Sequence, residues 1–231
     1  MKIRTVDLTK AYHLGPSEII AVNRVSFEIN EPNFIAIIGP SGSGKSTLLN
    51  LIGLNDAPTS GKIFIDNADA ALLSSSKRRK IRLLRMGFVF QTFNLLPTLN
   101  ALENVELPMA LAGKPKKEQR VKAKKLLENV SLGSRLFHRP KELSIGEMQR
   151  VAIARALANN PEIIIADEPT GELDSKTAKE IIALLYEVNR KEKTAIIVAT
   201  HDEKIVDAAD KIYTIQDGRL RLQDNAIFSQ K

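Results

Sequence analysis

Short, uninterrupted apolar runs alternate along this chain with longer stretches in which apolar residues recur at helical spacing. The strand-length runs are Ile3 to Leu8, Phe34 to Ile38, Lys62 to Ile65, Gly87 to Phe90, Ile163 to Ala166 and Ala195 to Thr200. Phe34-Ile-Ala-Ile-Ile38 and Ile163-Ile-Ile-Ala166 contain no polar alternation, the mark of strands covered on both faces of a parallel sheet. The fold class is therefore α/β. From Phe93 to Asn159 strand-like runs are absent and Pro97, Pro108, Pro115 and Pro140 punctuate helical patterns, which predicts a helical insert at 93–159 between core segments 1–92 and 160–231. Within it, Lys116 to Val130 carries Val121, Leu126, Leu127 and Val130 on a charged background and is expected at the surface. A helix from Lys176 to Lys191, with Ile181, Ile182, Leu184, Leu185 and Val188, is expected to pack on the sheet.

Composition narrows this picture. A chain of 231 residues, 43% hydrophobic and 26% charged, can fill the core of a single domain. No apolar run approaches the roughly 20 residues that span a bilayer, and Met1-Lys-Ile-Arg-Thr-Val-Asp has no signal-peptide core, so a soluble, cytoplasmic chain is expected. The absence of cysteine excludes disulfides and thiolate metal sites. The net charge of +7 comes partly from Lys77-Arg-Arg-Lys80, Lys114-Pro-Lys-Lys117 and Lys122-Ala-Lys-Lys125. Such runs are most often solvated faces. The other reading is attraction to nucleic acid or an anionic membrane surface, and the lack of interleaved aromatics argues against single-strand stacking.

In open α/β sheets ligands gather at the carboxyl ends of strands, so polar residues directly after apolar runs are the candidates. Gly39, Gln91, Asp167 with Glu168, and His201 all occupy such positions. In Gly39-Pro-Ser-Gly-Ser-Gly-Lys-Ser46, Gly42 and Gly44 let consecutive N–H groups turn toward phosphates, and the following helix adds its positive end. The candidate nucleotide contacts are Gly39, Ser41, Gly42, Ser43, Gly44, Lys45, Ser46 and Thr47. Lys45 suits the β and γ phosphates of a nucleotide and Ser46 suits Mg²⁺; Thr47 is either a further hydroxyl contact or a first-turn helix residue.

Asp167 stands where P-loop NTPases place the acid that holds Mg²⁺ through water, the other reading being a helix N-cap. Glu168, expected on the opposite face of an extended chain, is positioned to orient or deprotonate the attacking water. His201, in Thr200-His-Asp202, is either a donor to the γ-phosphate or a structural histidine. Gln91 is either a ligand reaching Mg²⁺ and the attacking water or a loop amide. Tyr12, taken to follow the first strand, either stacks on adenine or is an edge aromatic. Ser144-x-x-Glu147 before an amphipathic run matches a capping box, predicting a helix from Ile145 to about Leu157 whose first turn, with Gly146, still offers N–H groups to an anion.

Together these residues resemble the ATP-binding cassette (ABC) family of transporter ATPases over essentially the whole chain. Gly39 to Ser46 resembles its Walker A, Ile163 to Glu168 its Walker B, Leu143 to Glu147 its signature, Gln91 its Q-loop, Gly171-Glu-Leu-Asp174 its D-loop and His201 its switch histidine. Asn100-Ala-Leu-Glu-Asn-Val-Glu-Leu-Pro108 is similar to the lipoprotein-releasing, macrolide-export and cell-division branch. The resemblance implies a P-loop core with a mainly parallel sheet, an antiparallel N-terminal β part and a helical insert. It implies ATP and Mg²⁺, a homodimer in which Ser144 and Gly146 of one subunit meet the nucleotide of the other, and an integral membrane permease-like partner at the inner face of the membrane. Near Phe93, Leu95, Leu96 and Leu99 apolar residues face either that partner or the core of the insert. The family usually reads Leu-Ser-Gly-Gly-Gln; Ile145 and Glu147 depart from it, and Glu147 is expected to turn back to cap the helix. A soluble cassette ATPase acting on nucleic acid or ribosomes is the alternative, but the long coiled coil or second cassette it calls for is missing, and no nucleic acid is expected.

Overall fold

The computed structural model describes residues 1–15, 17–201 and 203–223. The chain begins with a long antiparallel pair, β1 (Ile3–Leu14) and β2 (Ser17–Ile29), which with β4 (Ser60–Ile65) and β5 (Ala68–Asp69) makes a four-stranded sheet in the order β2-β1-β4-β5. A second sheet of six strands runs β10-β9-β3-β8-β7-β6, built from β3 (Phe34–Ile38), β6 (Met86–Val89), β7 (Ile163–Asp167), β8 (Ala195–Thr200), β9 (Lys211–Gln216) and β10 (Arg219–Gln223). All its pairings are parallel except the β9–β10 hairpin.

Helix α1 (Lys45–Ile52) follows β3, and α2 (Ser75–Arg85) leads into β6. Three helices occupy the stretch between β6 and β7: α3 (Ala101–Leu111), α4 (Lys116–Asn129) and α5 (Ile145–Ala156). Helix α6 (Ser175–Glu192) connects β7 to β8, and a short α7 (Glu203–Asp207) follows β8.

Three clusters of buried side chains explain why the layers adhere. Between the sheets, Leu48, Leu51 and Ile52 of α1 pack with Ile35, Ile37, Ile165 and Ile197 and with Ile3, Leu8 and Val22 of the antiparallel sheet. The other face of the parallel sheet, Phe34, Ile164, Ile196 and Val198, takes Ile181, Leu185 and Val188 of α6. Every residue of Phe34 to Ile37, Ile163 to Ala166 and β8 is buried, as unalternated runs require. A third cluster, Leu102, Val105, Met109, Ala123, Leu127, Val130 and Val151, binds α3, α4 and α5 together.

Two expectations change. Helix α4 buries Gln119, Ala123 and Leu127, whereas Val121 is 65% exposed, so a small alanine, not the valine, makes the close approach. The first strand continues to Leu14, which places Tyr12 inside it rather than after it. Members of two basic runs are engaged locally: Lys114 with Glu118 (3.2 Å), Lys116 with the buried Glu106 (2.5 Å), Lys124 with Glu128 (3.8 Å) and Lys122 with Asn160 (2.6 Å). Among the described residues no helix is long and apolar enough to cross a membrane.

Candidate functional site

Register fixes the site. Ile38 pairs with Thr200 and Asp167 with Ala199, so Gly39, Asp167 and His201 emerge at nearly one level along the carboxyl edge of the sheet. Asp202 lies outside the described residues.

The loop from Gly39 turns into α1 through Gly44, whose φ of 103° is left-handed. A Cβ there would stand 2.0 Å from the Ala21 carbonyl oxygen of β2, so both backbone conformation and space demand glycine. At Gly39 a Cβ would meet the Ile215 carbonyl at 2.2 Å. The loop is thus wedged between β2 and β9. Lys45 Nζ donates to the carbonyls of Gly39 (2.7 Å) and Pro40 (3.1 Å), and Ser43 Oγ is buried without a hydrogen-bond partner. Ser41, Gly42 and Ser46 are exposed, and Thr47 is half-buried.

At the end of β7 two carboxylates diverge by a backbone turn rather than by the alternation of an extended chain. Glu168 has φ 45°, and its N–H donates to Ala199 O (2.9 Å). This corrects the extended geometry expected from the sequence. The Ser46 hydroxyl lies near the Asp167 carboxylate, whose Oδ1 is buried and unpartnered. Burial pushes the Asp167 carboxyl above its usual range, and the neighbouring Glu168 charge pushes the same way, against the nearby Ser46 hydroxyl and Lys45. Glu168 Oε1 lies 3.9 Å from Lys45 Nζ, and His201 Nδ1 stands 3.0 Å from both Glu168 oxygens, bonding Oε1 while Oε2 stays buried without a hydrogen bond. The His201 side chain is 73% exposed, so a histidine packed in the core is excluded.

Lys45, Ser46, Asp167, Glu168 and His201 therefore form one cluster. Gln91 stands at its margin: a Cβ on Gly171 would meet both Glu168 Cβ (3.5 Å) and Gln91 Nε2 (3.7 Å). Its amide donates to Glu172 (3.1 Å), a partner that sequence reasoning did not single out. Tyr12 donates its hydroxyl to Asp56 (3.1 Å) and lies under Lys10 Nζ, 5.0 Å from the ring centre. Asp56 also accepts from Lys10 (2.8 Å).

Ser144 and Gly146 belong to the start of α5. The capping box is complete: Ser144 Oγ accepts from Glu147 N (3.2 Å), and Glu147 Oε2 accepts from Ser144 N (2.8 Å). Glu147 thus turns back as expected. Buried Gln149 donates to Pro169 O (2.7 Å), tying α5 to the turn that carries Glu168. Gly146 lies against α6, where a Cβ would meet Thr177 Cγ2 at 2.5 Å. Neither link has a sequence signature, since both join segments about 20 residues or more apart.

Among the described residues no group of three or more His, Asp or Glu forms a metal cluster. A cavity of about 740 Å³, bordered by Lys122, Leu126, Glu162 and Thr194, opens at the amino-terminal ends of β7 and β8, away from the residues described above.

Residues 22–171 match the family model described as ABC transporter. The chain is 52% identical to an uncharacterized ABC transporter ATP-binding protein of Thermotoga maritima, covering 93% of this chain and 92% of the relative. It is 46% identical to the lipoprotein-releasing system ATP-binding protein LolD of Legionella pneumophila strain Paris, covering 92% and 94% respectively. A solved structure of the ATP-binding cassette MJ0796, dimeric and bound to ADP and Pi, matches with a TM-score of 0.90 and 44% identity over 96% of this chain and 98% of that one.

Proposed function

The chain belongs to the ABC transporter ATP-binding family, and from that membership we propose that it pairs with a second copy through ATP and drives an integral membrane permease-like partner at the inner face of the membrane. ATP binding and hydrolysis come with the family; the roles of individual residues are inferred from the site. The observation that carries them is the convergence of Lys45, Ser46, Asp167, Glu168 and His201 at one edge of the sheet.

The phosphates of ATP lie on the N–H groups of the loop from Ser41 to Thr47, at the positive end of α1. Lys45 exchanges the carbonyls of Gly39 and Pro40 for phosphate oxygens. The hydroxyl of Ser46 and the orphaned oxygen of Asp167 are hard oxygen donors that suit Mg²⁺ held partly by a nucleotide, and Gln91 can add a third once released from Glu172. Bound there, Mg²⁺ supplies positive charge beside the β and γ phosphates. Glu168 takes the proton of a water whose oxygen bonds to the γ-phosphorus as the bond to the β–γ bridging oxygen breaks. His201 donates toward the γ-phosphate and holds Glu168 in place.

The Ser144 end of α5 completes the nucleotide site of the second copy. Coupling to the membrane partner runs through the segment after Gln91. Its apolar residues divide: Leu95 packs into the α3–α5 core, while Leu96 is exposed and held by Asn104, which accepts from Leu96 N (2.8 Å) and donates to Leu96 O and Leu99 O.

Glu168→Gln tests the assignment of the base. It removes the proton acceptor but keeps the shape, so ATP binding persists while phosphate release slows by about 10²- to 10⁴-fold. Turnover near the parent rate removes Glu168 from this role.

A further inference from the structure

The helix end that this reading offers to a second copy's nucleotide carries its own carboxylate, Glu147, in the first turn. A negative charge there stabilises the helix but opposes approach of a phosphate. In this chain both Glu147 oxygens are engaged. Oε2 accepts the Ser144 N–H at 2.8 Å, and Oε1 accepts from Arg135 Nε at 3.0 Å. The backbone bond from Ser144, helped by Arg135, holds the Glu147 carboxyl below its ordinary range against the opposing effect of burial.

Arg135 does not reach in from a loose loop. Flanking residues Leu132 and Leu136 are buried, Leu102 N donates to Leu136 O (2.9 Å), and Ala101 N donates to His138 O (2.8 Å). The turn bearing Arg135 is thereby strapped to the start of α3, and its guanidinium also lies 3.2 Å from His138 Nε2. The N–H groups of Ile145 and Gly146 remain at the exposed tip of the helix, where the capping box does not use them.

We propose that Arg135 is a positioning residue for ATP-driven pairing: it neutralises Glu147 and draws it aside, so that the amino end of α5 accepts the nucleotide phosphate of a second copy. The proposal rests on the ATP-bridged dimer described above.

The test is a sedimentation measurement of ATP-dependent dimerisation, made in the full chain carrying Glu168→Gln so that ATP persists. Adding Arg135→Ala leaves an uncompensated carboxylate at each of two sites and weakens dimerisation by roughly fivefold to thirtyfold, while binding of a fluorescent ATP analogue to the monomer is unchanged. Glu147→Gln alone changes dimerisation by less than about twofold, and in the Arg135→Ala background it restores the parent affinity. That rescue separates charge from structure, because a purely structural arginine would not be replaced by deleting its partner's charge. Undiminished dimerisation in Arg135→Ala, or no rescue in the double variant, overturns the proposal. If the Glu168→Gln parent itself forms no dimer with ATP, the dimer reading fails first, and this inference with it.

Discussion

Gly146→Ala isolates the reason for a glycine in the first turn of α5. The added Cβ would sit 2.5 Å from Thr177 Cγ2, whereas carbon atoms in contact rest at about 3.5–4.0 Å, so α5 and α6 must part by about 1 Å at this point. Thr177 cannot turn away freely, because its hydroxyl donates to Asp174 (2.6 Å) while Asp174 caps α6 by accepting from the N–H groups of Lys176 and Thr177. Overpacking of this kind costs about 1–3 kcal/mol. Replacing glycine by alanine in a helix returns roughly 0.5–1 kcal/mol, which leaves a net loss of about 0.5–2 kcal/mol. Urea unfolding followed by circular dichroism measures it. Thr177→Ser removes the offending methyl and keeps the hydroxyl for Asp174, so in that background Gly146→Ala becomes neutral or slightly stabilising. An equal loss in both backgrounds would show that Gly146 is required for some reason other than its contact with α6.

Two substitutions in the phosphate loop separate backbone strain from crowding. Gly42, at φ 77° with nothing within 4 Å of the place a Cβ would take, loses about 1 kcal/mol on change to alanine, whereas Gly44→Ala adds a collision with Ala21 O and loses about 3 kcal/mol or more, compared by urea unfolding. Equal losses would refute the wedging of the loop against β2. Distant from the site, hydrogen bonding from Arg85 holds the Glu162 carboxyl down at about 2. A carboxyl whose folded pKa is depressed contributes stability above its unfolded value, about 4.3, and that contribution fades as pH falls toward about 2. Because Glu162 is 42% exposed, solvent screening limits the contribution to about 1 kcal/mol. Arg85→Gln, which also releases Asp66 from its 2.6 Å ion pair and leaves Glu162 with the Met1 ammonium, therefore lowers stability at neutral pH and flattens its decline in acid; an unchanged acid slope would show that the Arg85 pairs contribute nothing.

Legibility in the sequence followed the range over which each signal acts. The strands that carry the site were readable because burial on both faces leaves an unbroken apolar run, as in Ile163 to Ala166. The strand β2 was not, since its first four residues are exposed and only Val22, Val25, Phe27 and Ile29 are buried, across irregular pairing with β1. The turn at Glu168 had no local signature: a non-glycine residue at φ 45° is held by its N–H bond to Ala199 O, from a strand more than 30 residues away. The same limit hid Glu172 beside Gln91, Thr177 beside Gly146 and Arg135 beside Glu147.

These hidden partners bear on the two departures in the signature stretch, which differ in kind. Glu147 is answered within its own chain, by Ser144 and by Arg135. Ile145 is not: its side chain is 47% exposed at the tip of α5, outside the three core clusters. A residue that its own fold does not bury adds little to monomer stability, whatever its size. Its effect therefore falls on whatever approaches the helix end. Ile145→Gly should accordingly change ATP-dependent dimerisation more than unfolding free energy, whereas Gly146→Ala at the adjacent position lowers the unfolding free energy through its contact with α6. Measured together, the pair separates what this helix end does for the fold from what it does for a second copy. If Ile145→Gly instead lowers stability by more than about 1 kcal/mol beyond the helix-propensity cost of glycine, the side chain is supporting its own domain and that separation fails.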